Sequence, residues 1–301
     1  YPDALKFQSA RAAFLSLLRD GKVKRVWAPK YICDSMLAPL VAERIPICFY
    51  GIEKNFAIGT VVDLKENDWL LYVNYFGICN RVEQALLRQF NPDQIILDHA
   101  QAFFSPPKYC LANLYSPRKF FGIPDGGLLI SRLVKSEPQG IDDGSVSRSA
   151  YLLMRHDGPA ETGYASYKRA EESLEDMKPR RMSKLTERLF RAIDFEAVRL
   201  RRNENFQYLH ERLRPFNGLA IDPLEVNGPL CYPLLFEQPG TRERLQKERV
   251  FLPIYWPEVM NRAATRDFEA HLVERCLPIP CDQRYSTTDL EVIVNILLRK
   301  C

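Results

Sequence analysis

Two neighbouring stretches decide the fold, "QIILDHAQAFF" (94–104) and "YCLANLYSPRKFFGIPDGG" (109–127). Each starts as a strand-like apolar run and is followed by a charged residue, Asp98 in the first and Lys119 in the second. Alone, Asp98 indicates a helix cap or loop salt bridge, and Lys119 a solvated surface lysine. An acid at the end of a buried strand needs a partner, however. We therefore expect both residues to face one crevice.

The pattern up to about residue 135 predicts an α/β domain. Strand-like runs "VKRVWAP", "IPICFYGI" and "DWLLYVNYFG" alternate with the helical segments "RAAFLSLLRDG", "SMLAPLVAERI" and "RVEQALLRQF". Gly21 is expected to end the first helix and Ser35 to cap the second. Such alternation predicts a mostly parallel sheet flanked by helices, with ligands bound beyond the carboxyl ends of its strands.

Three further segments follow. Residues 136–183 are rich in Gly, Ser, Asp and Pro and are predicted to form a mobile linker region with short helices, which completes a large domain over 1–183. A long amphipathic connecting helix is expected over 184–214, broken near Asp194. Residues 215–301 are predicted to form a small α/β domain with a strand in "PLCYPLLF", helices in "TRERLQKERV" and "TTDLEVIVNILLRK", and a strand or loop in "VFLPIYWP".

The composition excludes several classes of protein. The 301 residues are 46% hydrophobic and 27% charged, with a net charge of +4 and no polybasic block, which gives no case for nucleic acid or membrane binding. Eight scattered cysteines with no Cys-x-x-Cys pair predict reduced thiols in a cytoplasmic protein and no metal site. No signal peptide is recognisable, and the abrupt start suggests that an upstream segment is missing.

Lys119 and Asp98 together indicate a particular cofactor chemistry. A lysine in a desolvated pocket loses its proton more easily and becomes a nucleophile for carbonyl groups. A carboxylate across that pocket can keep a pyridine nitrogen protonated. Pyridoxal phosphate needs both groups. The "GIPDGG" segment would let the backbone turn sharply beneath the cofactor.

The same stretches resemble the DegT/DnrJ/StrS family of pyridoxal-phosphate-dependent sugar aminotransferases. "ILDHAQAFF" is similar to the family's D-x-x-Q/H segment, and "SPRKFFGIPDGG" to its H-P-x-K segment with the following acidic-Gly-Gly turn. The resemblance continues, in order, through "FQSARAAF", "VWAPKYICDSM", "PRRMSKLTERLF", "FLPIYWPE" and "LPIPCDQRYSTTDLEVIVNIL". It covers most of the chain except the family's N-terminal arm, and it implies the α/β fold type I of pyridoxal-phosphate enzymes, with a large and a small domain.

The resemblance also implies residue roles. Lys119 would be the Schiff-base lysine and the proton carrier, Asp98 the partner of the pyridine nitrogen, and Gln101 the partner of the phenolic oxygen. The phosphate would bind at the start of a helix, where free N–H groups attract anions. The residues at that start are Ser9, Ala10 and Arg11.

The chain departs from the family's pattern at the rim of the site. The phosphate-contacting serine position holds Leu114, so Ser116 is the expected replacement. The ring-stacking aromatic falls near Cys33, which makes Tyr31 the better candidate. An asparagine that the partner subunit contributes falls near Pro179, and its possible substitutes are Arg180, Arg181 and Ser183.

Other polar and aromatic residues have competing interpretations. His99 is expected to pack away from the site, because adjacent residues of a strand point in opposite directions. Tyr255 and Trp256 are equally well explained as a substrate platform or as core. Arg284 and Tyr285 could bind an anionic substrate group, although a surface salt bridge is the favoured explanation for Arg284.

The resemblance implies an aminotransferase that moves an amino group from a donor, expected to be glutamate, to a nucleotide-linked keto-sugar for surface polysaccharide or secondary-metabolite synthesis. Ping-pong kinetics and a homodimer with a shared active site follow from it. One alternative is a non-sugar substrate or a cell-surface glycan precursor. Another is a cofactor-binding regulator without catalysis. A sugar-dehydrating branch of the family carries histidine in place of the lysine, and Lys119 argues against that branch.

Overall fold

A computed structural model describes residues 1–299 and contains a seven-stranded sheet in the large domain. The strand order is β1-β7-β6-β5-β4-β2-β3, in which β3, β2, β4, β5 and β6 are parallel and β7 is antiparallel to β6 and β1. The mostly parallel sheet is therefore confirmed. The strands are β1 (Leu5–Phe7), β2 (Arg25–Pro29), β3 (Ile47–Tyr50), β4 (Asp68–Val73), β5 (Ile95–His99), β6 (Ala112–Tyr115) and β7 (Gly127–Ser131).

Three helices of this domain lie where the apolar spacing predicts them: α1 (Ala10–Asp20), α2 (Asp34–Ala42) and α3 (Asn80–Gln89). Gly21 ends α1 as expected, with its N–H donating to the Leu17 carbonyl. The prediction that Ser35 caps α2 is wrong. The cap position belongs to Cys33, whose backbone is extended, and the Ser35 hydroxyl lies in the first turn, 3.1 Å from Cys33 Sγ.

Strands β4, β5 and β6 form the centre of the core because every residue in them is buried. Sheets covered by helices on both faces need such near-continuous apolar strands. The apolar face of α1 packs into the same core through Ala13, Phe14 and Leu17. The carboxyl ends of these strands consequently have a rigid support.

The segment between β7 and residue 183 contains the short helices α4 (Ser145–Arg148), α5 (Ala150–Asp157) and α6 (Tyr164–Glu172), as predicted. It is not loosely attached. Arg148 is buried and pairs with Asp125 at 2.8 Å and with Asp142 at 2.6 Å. These contacts anchor the beginning of the segment to the turn before β7, while its mobility stays a prediction.

Residues 178–182 run beside β1. The Gln8 N–H donates to the Arg180 carbonyl (3.1 Å), and the Arg180 N–H donates to Gln8 Oε1 (2.8 Å). Met182 N–H donates to the Lys6 carbonyl (3.2 Å). Residues 178–182, which include the basic residues Arg180 and Arg181, therefore extend the edge of the sheet in their own chain. They lie beside the residues that precede α1.

The connecting helix is broken where expected, into α7 (Lys184–Arg191) and α8 (Phe195–Leu213). Asp194 caps α8 by accepting a hydrogen bond from the Ala197 N–H (2.9 Å). The small domain follows, with an antiparallel pair of strands and three helices: β8 (Cys231–Leu235), α9 (Thr241–Lys247), α10 (Phe268–Arg275), β9 (Cys276–Pro280) and α11 (Thr287–Leu298).

The "VFLPIYWP" segment is a loop, the second of its two predicted forms. The seven cysteines within residues 1–299 are free thiols, and Cys301 lies outside the described residues. Across the described part of the chain, none of the helices combines the length and the apolar character needed to cross a membrane.

Candidate active site

The structure brings Asp98 and Lys119 to the same edge of the sheet. Asp98 lies near the end of β5 and is paired in register with Leu114 of the neighbouring parallel strand β6. The chain leaves β6, and a single helical turn over Pro117–Lys119 then places the lysine. The positive charge of Lys119 is close enough to act on the Asp98 carboxylate.

Asp98 is a buried carboxylate with few partners. Only 5% of the residue is exposed, and the one hydrogen bond that its carboxylate accepts within residues 1–299 is donated by the Ala100 N–H to Oδ1 at 2.8 Å. Burial raises the pKa of Asp98, and the Lys119 charge and the Ala100 amide only partly oppose this effect. The carboxylate would therefore be stabilised by a further cation or N–H donor.

Gln101 has a buried donor without an acceptor. Its Oε1 accepts a hydrogen bond from the Phe76 N–H at 2.9 Å, which fixes the orientation of the side-chain amide. Its Nε2 is fully buried and has no hydrogen-bond partner among the described residues. A buried, unpaired donor costs about 1–3 kcal/mol. An acceptor atom of a bound ligand would remove that cost.

Lys119 differs from the prediction of a desolvated pocket. Its side chain is exposed, and no ion pair or hydrogen bond of its amine is formed inside the described range. Its backbone N–H donates to the carbonyl of Ser116, a residue that is only 5% exposed. Any desolvation of the amine must therefore come from a ligand or a partner molecule that covers it.

The start of α1 provides donors for an anion. Ser9 caps the helix by accepting a hydrogen bond from the Ala12 N–H at 3.1 Å, and the N–H groups of Ala10 and Arg11 have no acceptor within the helix. Gly127 lies against this helix start, since a Cβ there would be 2.2 Å from the Ser9 carbonyl carbon. The glycine of the "PDGG" turn therefore permits the close approach of β7 to the helix.

His99 faces the opposite side of β5, as expected. Its Nε2 lies 2.6 Å from Glu83 Oε1, and both side chains are fully buried. Asn74 Nδ2 donates to the same Glu83 oxygen at 2.8 Å, and the His99 ring lies 4.8 Å from the Tyr115 ring. This network holds the back of the strand that presents Asp98.

Tyr31 does not present a free face. It is 1% exposed, and its ring makes an edge contact with Trp256 at 4.8 Å and a tilted contact with Tyr75 at 5.6 Å. This packing does not favour the predicted stacking role. Cys33, by contrast, is half-buried, and its thiol is close enough to Arg11 to act on that guanidinium.

The other predicted substrate residues are distributed over the small domain. Tyr255 is half-buried and packs on Phe76 with ring centres 5.8 Å apart, which fits the core interpretation. Arg284 pairs with Asp282 through two contacts of 2.8 and 2.9 Å at the surface, which fits the salt-bridge interpretation. Tyr285 is half-buried beside Arg284. Their substrate roles stay predictions.

The proposed substitutes for the partner-subunit asparagine are engaged within this chain. Arg180 pairs with Asp176 at 2.6 Å. Ser183 caps α7 by accepting a hydrogen bond from the Thr186 N–H at 3.0 Å. Arg181 lies 3.9 Å from Glu137 and keeps a partly exposed side chain. A phosphate role for this segment stays a prediction.

Sequence reasoning missed one pair at the site. Arg118 lies next to Lys119, and its guanidinium makes two contacts with Glu171, of 2.5 and 2.9 Å. Glu171 is on α6, in the segment that was predicted to be a linker. A contact between residues so distant in the chain leaves no local pattern that could reveal it.

No protein-family model matches this chain, and no curated protein matches it either. Solved structures do. Helicobacter pylori PseC, an aminotransferase involved in pseudoaminic acid biosynthesis, is 15% identical with a TM-score of 0.61 over 98% of this chain and 85% of that chain. A DegT DnrJ EryC1 StrS aminotransferase from Brucella abortus is 15% identical with a TM-score of 0.61, over 98% and 84%.

An E. coli GDP-4-keto-6-deoxy-D-mannose-3-dehydratase with bound hydrated pyridoxal phosphate is also similar, at 12% identity and a TM-score of 0.64 over 98% of this chain and 87% of that chain. Such low identities establish the fold and leave the reaction open. The predicted architecture is confirmed: this chain has the type I fold that pyridoxal-phosphate enzymes of the DegT/DnrJ/StrS type share.

Proposed function

We propose that this protein is a pyridoxal-phosphate-dependent aminotransferase. The observation that carries the proposal is a pair of buried groups at and just after the end of β5: the Asp98 carboxylate, which has a single hydrogen bond among the described residues, and Gln101 Nε2, which has none. A protonated pyridine nitrogen with a neighbouring phenolic oxygen matches one acceptor and one donor of this kind. The exposed Lys119 amine follows the adjacent strand, at the same edge.

The residues present fit the whole cofactor. The start of α1 would hold the phosphate through the N–H groups of Ala10 and Arg11, with the Ser116 hydroxyl as a further donor. Lys119 Nζ would hold the aldehyde carbon covalently, with loss of water, until the amine of the donor displaces it and leaves the lysine free. When bound, pyridoxal phosphate supplies a carbonyl that takes up the amino group and a ring that withdraws electrons.

The remaining chemistry belongs to the chain. Lys119 Nζ would carry the proton between the carbon that loses the amino group and the carbon that gains it. The Asp98 carboxylate would accept a hydrogen bond from the ring N–H and keep the ring nitrogen protonated, and its buried surroundings would strengthen that interaction. Gln101, fixed by its contact with Phe76, would hold the ring in one orientation.

We further propose that the acceptor is a nucleotide-linked keto-sugar and the donor is glutamate. Similar solved structures include sugar aminotransferases, one of which was determined with its TDP-sugar product. The Lys119 side chain is exposed, which supports access by a bulky acceptor. Reduced thiols fit a cytoplasmic location for such an enzyme.

A homodimer with a shared site is also proposed, because the Lys119 side chain needs a cover that residues 1–299 do not supply. Linkage then requires that dissociation of the dimer at low concentration releases the cofactor. Sedimentation of the loaded and cofactor-free forms over a dilution series tests this. A monomer that retains its cofactor at every concentration would exclude the shared site.

The direct test of the activity is spectroscopic. Pyridoxal phosphate added to the purified protein should give a visible absorbance, and glutamate should bleach it. Lys119→Ala should lack that absorbance, whereas Lys108→Ala, a change at a half-buried lysine outside the site, should behave as the native protein. An absorbance that persists with glutamate and all other amino donors would point to a binding protein without transferase activity.

A further inference from the structure

Arg118 and Glu171 form a two-point ion pair beside the candidate catalytic lysine. Arg118 Nη1 lies 2.5 Å from Glu171 Oε1, and Nη2 lies 2.9 Å from Oε2. This is the parallel fork geometry in which arginine recognises carboxylates and phosphates. The side chains are 17% and 31% exposed, so a small ligand approaching Lys119 can reach the pair.

Further positive charge surrounds the same carboxylate. Burial disfavours the ionised form of Glu171, but its hydrogen bonds with Arg118 and the charges of Arg118, Arg11 and Lys119 outweigh burial and lower its pKa. Arg11 is fixed nearby, because its Nη1 donates to the Leu174 carbonyl at 3.2 Å. Glu171 and Glu175 are the carboxylates whose charges act in turn on Arg11, together with the Cys33 thiol. Three cations, Arg118, Arg11 and Lys119, thus act on the Glu171 carboxylate.

The position of Glu171 in the fold suggests that it can be displaced. It lies in the last turn of α6, whereas the buried ionic anchor of this segment is Arg148 on α4. The carboxylate of Glu171 has no hydrogen-bond partner other than Arg118 in the described part of the chain. Moving Glu171 away would therefore break one ion pair and leave the anchor intact.

We propose that Arg118, assisted by Arg11, is an oxyanion-binding site of the active centre, and that Glu171 occupies it until an oxyanion of a ligand displaces it. The ligand group is a carboxylate or a phosphate, supplied by the amino donor or by the cofactor. This inference rests on the proposed function for its location next to Lys119. An internal competitor lowers the apparent affinity of the ligand by the fraction of sites it occupies.

Calorimetric titration of the cofactor-free protein tests the proposal with four probes: glutarate, inorganic phosphate, pyridoxal phosphate and pyridoxal. Arg118→Gln should weaken binding of the recognised oxyanion roughly tenfold or more, the range expected for a lost charged hydrogen bond. Glu171→Gln should strengthen binding of the same probe. Arg132→Gln, which breaks an exposed ion pair with Asp93, is the matched control and should leave the affinity for every probe unchanged.

The four probes distinguish the two possible sources of the oxyanion, the cofactor and the amino donor. If the cofactor supplies the oxyanion, pyridoxal phosphate and inorganic phosphate respond to both variants and pyridoxal does not. If the donor supplies it, glutarate responds. Loss of affinity for every probe in Glu171→Gln, or no change in any, would overturn the proposal and identify the pair as a structural contact that holds α6. Arg118→Lys, which keeps the charge, guards against misfolding of Arg118→Gln.

The proposed function is tested independently of this inference. The visible absorbance of bound pyridoxal phosphate depends on Lys119 and not on the Arg118 fork. If Arg118→Gln and Glu171→Gln leave the titrations unchanged but both variants keep an absorbance that glutamate bleaches, the oxyanion site is rejected. The proposal of aminotransferase activity then still stands. Absence of the absorbance in the native protein would reject the function itself.

Discussion

Two buried aspartates, at the end of β5 and in the turn before β7, differ in how their oxygens are satisfied. Asp125 is fully buried and accepts hydrogen bonds from Ser145 Oγ (2.5 Å), Arg148 Nη1 (2.8 Å) and Thr186 Oγ1 (2.5 Å). Asp98 is almost as deeply buried but has a single backbone donor among the described residues. Buried polar groups are normally paired, so the second case requires an explanation.

Asp125 is a structural carboxylate, whereas we propose that the Asp98 carboxylate binds a ligand. Asp125 connects the turn before β7 to α4 and α7, and all its partners come from the protein. Asp98 lies near the carboxyl end of β5, and three residues later Gln101 carries an Nε2 with no hydrogen-bond partner among the described residues. Both aspartates are buried, so burial alone does not identify a functional acid. The number of hydrogen-bond partners of the carboxylate distinguishes the two residues.

The largest effect is expected at Asp125. Asp125→Ala leaves Asp142 as the one carboxylate paired with the buried Arg148 among the described residues, and it removes an acceptor of the Ser145 and Thr186 hydroxyl groups. Breaking a buried ion pair in this way costs about 3–5 kcal/mol of the free energy of unfolding. Denaturant unfolding measures it. The exposed Asp143→Ala is the control and should change stability by less than about 0.5 kcal/mol. Equal effects at both positions would contradict the network.

Asp98→Asn should lower activity without lowering stability, unlike Asp125→Ala. Turnover should fall on the order of 100-fold or more, the range for a positioned acid–base group, because a neutral amide no longer favours a protonated ring. The cofactor-free variant should be at least as stable as the native protein. Steady-state kinetics and denaturant unfolding measure the two quantities. Native turnover in Asp98→Asn would remove this residue from the proposed role.

A smaller effect is expected at Gln101. Gln101→Leu removes the donor that the cofactor would use, and cofactor affinity should fall roughly tenfold, as for one lost hydrogen bond. The change also removes the acceptor of the Phe76 N–H, so the stability of the cofactor-free protein must be measured alongside. If only stability falls and the dissociation constant is unchanged, Gln101 does not contact the ligand.

The pH dependence gives the smallest effect. Burial raises the pKa of Asp98 above its ordinary value of 3.8, so the folded cofactor-free protein binds this proton more tightly than the unfolded chain does. The contribution of Asp98 to stability therefore declines as pH rises from about 4 through the raised pKa. The difference in free energy of unfolding between Asp98→Asn and the native protein should grow in favour of the variant over that range.

The sequence was sufficient for the fold and for the centre of the site. Alternating apolar segments predict β2 to β6. Adjacent strand residues point to opposite faces of the sheet, which explains why His99 pairs with Glu83 on the face away from Asp98. These inferences depend on local periodicity, which a single sequence contains.

The rim of the site could not be predicted in the same way. The sequence predicts a desolvated Lys119, yet its exposure depends on which distant segments cover it. The resemblance implies that Arg180, Arg181 or Ser183 serves the partner subunit's site, yet Gln8 of the same chain holds the Arg180 backbone. The pairing of Arg118 with Glu171 depends on the path of the segment containing α6, which its Gly- and Ser-rich composition does not specify.

We propose above all that Lys119 binds the cofactor at the edge of the sheet where the Asp98 carboxylate has a single hydrogen bond among the described residues. Borohydride reduction of the protein loaded with pyridoxal phosphate, followed by peptide mass spectrometry, tests it most directly. We expect one stoichiometric modification, at Lys119, that is lost in Lys119→Ala and retained in Lys108→Ala. Stoichiometric labelling of Lys30 or Lys108 instead, or unchanged labelling in Lys119→Ala, would contradict it.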